Sequence, residues 1–110
     1  MTSILNSMKK LLGLAEDYTA FDADLIIHIN SFLGVLNQLG VGATNFRITG
    51  PSETWDDFLS DSAPGLLDDC KTYLYIRVRL VFDPPSSSVV TEALKETMRE
   101  LEWRLHIKTD

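Results

Sequence analysis

The chain holds one cysteine, two histidines and no apolar run longer than a few residues. Each scarcity closes a route. Cys70 alone cannot form an internal disulfide and falls short of the roughly four ligands of a structural zinc, which predicts an intracellular chain. His28 and His106 stand far apart, neither in a metal-ligand spacing. The longest apolar runs, such as Leu25-Ile26-Ile27, break well before the roughly 18 residues that would cross a bilayer. Positive charge is also scarce. Ten Lys and Arg against sixteen Asp and Glu leave a net charge of -6 and a pI near 4.7. Nucleic-acid binders draw most of their affinity from cations that neutralise phosphates, so the balance argues against that class. Lys9 and Lys10 follow Ile4 and Leu5, the reverse of a secretory signal, and the expectation is a soluble protein without an export segment.

What remains is 110 residues, 45% of them hydrophobic, enough for one core and not for two. Ile4, Leu5, Met8, Leu11 and Leu12 recur at helical spacing, and Gly13 ends that first short helix. From Asp22 or Ala23, the residues Leu25, Ile29, Phe32, Leu36 and Leu39 predict a longer one that stops at Gly40. Its other face carries Ile27, Asn30, Ser31, Gly34, Asn37 and Gln38, with no charge after Asp24. A solvated helix face normally carries Lys and Glu, so this face is expected to pack against another chain. Residues 41–54 read as a long loop or a small β-hairpin around the strand-prone Phe46-Arg47-Ile48-Thr49. Thr54 before Trp55-Asp56-Asp57 reads as an N-cap with acids in the first turn.

Pro64 near a first helical position opens a further helix towards Phe82. Within it Leu74, Ile76, Val78 and Leu80 alternate with Tyr73, Tyr75, Arg77 and Arg79 as a half-buried strand would. Such a strand would have only the short segment near Phe46 for a partner. Helix is therefore the expectation, and it places Arg77 near the centre of an apolar face, where a guanidinium needs a carboxylate. Asp83-Pro84-Pro85 stops this helix, and Ser86 to Ser88 offer caps for a last one to about Ile107. Val90, Leu94, Met98, Leu101 and Leu105 form its stripe, with Trp103 roughly opposite. The whole reads as an all-α bundle of about four helices with the central loop at 41–54.

No catalytic constellation emerges. Gly40 and Gly42 follow a helix rather than a strand, unlike a phosphate-binding loop. Asp56-Asp57 and Asp68-Asp69 sit at helix starts, where carboxylates complement the backbone dipole. The serines 86–88 form no nucleophile elbow, and Cys70 has no evident base. The expectation is a protein that is not an enzyme and binds no cofactor or metal.

Taken in order, Leu11-Leu12-Gly13-Leu14, Tyr18 and Asp22, Leu39-Gly40, Thr54-Trp55-Asp56-Asp57-Phe58-Leu59, Lys71-Thr72-Tyr73, Val78 to Pro85 and Leu101-Glu102-Trp103-Arg104-Leu105 resemble one family. It is the head-to-tail connector (adaptor, head-completion) family of long-tailed bacteriophages and prophages of Gram-positive bacteria. The resemblance spans nearly the whole chain and implies one helical connector domain over residues 1–110. It also implies a ring-shaped homo-oligomer beneath the portal protein, matching the portal's twelve-fold symmetry. That ring would sit in the virion at the head-to-tail junction and meet a stopper or tail-completion protein. DNA would pass through its channel without sequence-specific binding. By position, Trp103, Leu105, Ile107 and Lys108 would meet the portal, and Phe46, Arg47 and Ile48 would lie on the channel-facing loop. A second reading keeps the helices and acidity without a ring: another phage-encoded interaction protein, such as a tail-completion factor or an acidic inhibitor of a host DNA enzyme.

Overall fold

Local capping chemistry sets most of the helix boundaries in the computed structural model, which describes residues 3–60 and 64–109, and all their side chains except those of Pro64 and 107–109. Ser3 caps α1 (Ile4–Leu11), its hydroxyl accepting from the Asn6 N–H at 3.2 Å. Helix α2 (Asp22–Gln38) has no side-chain cap but carries Asp22 and Asp24 in its first turn, at the positive end of the helix dipole. Thr54 and Asp57 form a reciprocal capping box on α3 (Trp55–Leu59). Helix α4 (Pro64–Phe82) stops at Asp83-Pro84-Pro85, and the Ser87 hydroxyl accepts from the Val90 N–H at 3.3 Å to start α5 (Ser88–Thr109).

The central element is α4, which packs against α1, α2 and α5. Cys70, Tyr73, Leu74, Ile76 and Val78 are all buried along it. That burial on several sides explains the strand-like alternation, because a helix enclosed by neighbours does not keep its apolar residues on a single narrow stripe. One core cluster joins Leu5 and Met8 of α1, Leu25 and Ile29 of α2, Phe58 of α3 and Leu101 and Leu105 of α5 to these α4 residues.

Lys9 is inside this core, 1% exposed. Its ammonium donates to the Glu16 carbonyl at 2.8 Å and lies 3.0 Å from an Asp22 carboxylate oxygen. A buried charge is tolerated only when paired and hydrogen-bonded, and here one partner lies in the connection after α1 and the other is the first residue of α2. The ammonium thereby fixes that connection against the end of α1.

No strand forms among the described residues, and 41–54 is an extended loop rather than a hairpin. A single antiparallel bridge links Ser3 to Thr54, with the Ile4 N–H donating to the Glu53 carbonyl at 3.1 Å. The loop folds back on α2 through two amide side chains. Asn30 brackets Ile48, accepting from its N–H at 2.8 Å and donating to its carbonyl at 3.0 Å. The Asn37 amide donates towards the carbonyls of Val41, Gly42 and Ala43. Two amides of the uncharged face of α2, Asn30 and Asn37, thus serve the chain's own loop, while Ile27, Ser31, Gly34 and Gln38 stay exposed.

Candidate interaction surfaces

Arg77 finds the carboxylate it requires. Its Nη2 donates to Glu102 Oε2 at 2.8 Å, and its Nε donates to the Tyr73 hydroxyl at 2.9 Å. Tyr73 in turn donates to the same Glu102 oxygen at 2.7 Å. The guanidinium also lies over the rings of Phe32 and Tyr73, 5.4 and 5.5 Å from their centroids. These contacts tie α2, α4 and α5 together at one point. A second tie between α4 and α5 joins Arg104 to Asp69 at 3.0 Å.

Burial, reinforced by the hydrogen bond to Glu102, pushes the Tyr73 hydroxyl up to about 12. The folded state therefore holds this proton more tightly than the unfolded chain, where tyrosine titrates near 10. The stabilisation is present below pH 10 and is lost as pH rises towards 12. Urea midpoints followed by circular dichroism are expected to fall across that window. The Tyr73→Phe variant should be less stable at pH 8 and lose less over the same interval; parallel curves would refute the assignment.

The residues expected at contacts separate into distinct groups. Ile48 and Leu105 are core residues, 1% and 0% exposed, and present no side chain at the surface. Ile48 is held inward by Asn30, and Leu105 completes the stripe of α5 that packs on α4. Both expectations are corrected. Phe46 is half-buried with its ring 5.3 Å from that of Phe58, whereas Arg47 and Gly34 are exposed. Asn30 and Asn37 are committed to the loop as described. Ile27 is 63% exposed and borders a shallow depression with Asn30, Ser31 and Arg47. The side chains of Ile107 and Lys108 lie outside the described residues.

Trp103 projects from the face of α5 opposite Leu101 and Leu105 and is 66% exposed. Monomeric proteins seldom leave an indole so bare, and tryptophan is enriched among the residues that carry binding energy. Sequence reasoning found it from its position opposite the stripe. A groove beside α1, bordered by Lys10, Leu11, Glu16 and Lys71, gave no such signal because its residues come from three separate stretches of chain.

The fold and these surfaces define a small helical protein that leaves a tryptophan largely exposed. Among the described residues, no group of three or more His, Cys, Asp or Glu stands close enough to hold a metal, and no helix is long and apolar enough to cross a membrane. The family model of phage connector proteins matches residues 4–110, and the chain belongs to that family. No curated protein and no solved structure matches the chain. Its role is accordingly structural, at the junction of phage head and tail.

Proposed function

We propose that the protein assembles as a ring under the portal, joins the DNA-filled head to the tail and extends the DNA channel towards a stopper or tail-completion protein. The observation that carries this reading is the bare indole of Trp103 in a chain that matches a connector family over residues 4–110. A chain of 110 residues cannot enclose a duplex alone, so a channel requires many copies. Its net charge of -6 suits a conduit, since an acidic lining repels the passing phosphates instead of holding them.

Light scattering and negative-stain imaging at high protein concentration, with and without purified portal, test the proposal. Rings with a central hole are expected. Trp103→Glu is expected to abolish rings or portal docking while the circular dichroism of the protomer stays helical. A wild-type protein that remains monomeric even with portal present would instead favour the ring-free interaction protein.

A further inference from the structure

We infer that neighbouring copies join head to tail, with Trp103 of one copy seated in the groove beside α1 of the next; the inference rests on the assembly reading above. Trp103 lies on α5 and the groove lies beside α1, so they are two different patches of the protomer. Helix α5 packs on α4, whereas α1 packs on α4 and α2. Two different patches meeting in this way form a heterologous contact, the kind that closes into a ring when the rotation permits. An indole meeting its own copy would give only a two-fold pair.

The groove suits the residue. It encloses about 580 Å³, with the half-bare side chain of Leu11 as an apolar wall and Asn6 and Ser7 among its polar lining. The indole N–H has no partner within its own protomer among the described residues, and Asn6 offers a carbonyl oxygen to receive it. Charge points the same way. Lys10 and Lys71 border the groove against a single acid, Glu16, and neither lysine makes an ion pair among the described residues. The helix that presents Trp103 carries Glu96 and Glu100 in the turns just before it, both largely exposed. Their partners, Arg99 and Arg104, lie three and four residues away on the same helix, at 2.7 and 3.6 Å. Exposed pairs of this kind contribute little, so the glutamates can turn to the lysines of a neighbour at small cost.

The sole cysteine, Cys70, is buried, so cysteines introduced at the surface report contacts against a silent background. Glu100→Cys and Lys10→Cys, prepared separately and mixed under mild oxidation, are expected to give a disulfide-linked dimer that neither variant gives alone. One chain carrying both changes should give a ladder of linked species. Glu100→Lys and Lys10→Glu should each weaken assembly, and their combination in one chain should restore it. Rings seen by imaging without the mixed dimer would overturn this contact and leave the assembly reading intact. A dimer from Glu100→Cys alone would show a two-fold contact and overturn it as well. Absence of any wild-type assembly with portal present would remove both.

Discussion

Replacing Gly42 with alanine is expected to lower the stability of the protein by about 3 kcal/mol, as the sum of a backbone and a packing cost. Gly42 has φ of 83°, in the left-handed region that side chains disfavour by about 1 kcal/mol or more. A methyl group there would also overlap the Phe58 ring. Neither side can retreat easily. Phe58 is in the core against Phe46, and the Ala43 N–H donates to the Phe58 carbonyl at 2.9 Å, which clamps the loop at this spot. Overpacking a filled site costs about 1 to 3 kcal/mol, which supplies the larger share. Gly13 provides the control, since it has the same φ of 83° with open space where a methyl would go. Gly13→Ala is expected to cost only the backbone share, about 1 kcal/mol. Urea unfolding of the two variants checks the difference, and equal costs would show that the Phe58 overlap is relieved without strain.

Glu102→Ala is expected to cost about 2 to 3 kcal/mol, because it strands two partners at once. Arg77 would keep its charge between the Phe32 and Tyr73 rings without a carboxylate, and the Tyr73 hydroxyl would lose its acceptor. The pair is nearly a third exposed, which places the cost below that of breaking a fully buried ion pair. Combining Arg77→Met with Glu102→Leu should recover most of the loss, since an apolar pair of similar volume removes the unmet charge along with its partner. A double-mutant cycle of chemical denaturation measures the coupling. Independent, additive effects would mean that Arg77 and Glu102 do not act as one unit.

The helix boundaries were largely legible because local chemistry sets them. Thr54 with Asp57, Ser87 before α5 and the Asp83-Pro84-Pro85 stop each act within a few residues, and each is used as its composition implies. Arg77 marked a need without naming its answer, since Glu102 lies 25 residues further along the chain. Lys9 left a fainter trace. It falls four residues after Leu5 and three before Leu12, on the apolar side of α1, yet only the path of the following connection reveals its partners. The strand-like pattern of 73–82 arose from a helix enclosed by neighbours, a circumstance that periodicity alone does not register. Leu105 shows two lines of inference in conflict. Its place in the α5 stripe assigned it to the core, the family likeness assigned it to the surface, and packing follows the stripe. Of the candidate contact residues, Trp103 and Ile27 were readable as bare apolar side chains, whereas Ile48 could not be placed without knowing that Asn30 draws its backbone onto α2.

Helix α5 is held unevenly along its length. Leu101 and Leu105 are buried near its end, while Val89 is 77% exposed and nothing from Ser88 to Ala93 is buried. Opening its first turns therefore forfeits little apolar contact, whereas opening the last turns dismantles the core. The helix behaves as a cantilever, fixed where Glu102 and Leu105 meet α4 and compliant towards Ser88. In the ring proposed above, Trp103 would be presented from the fixed end of this helix, so that the contact would be made by its rigid part and the compliance would lie away from it.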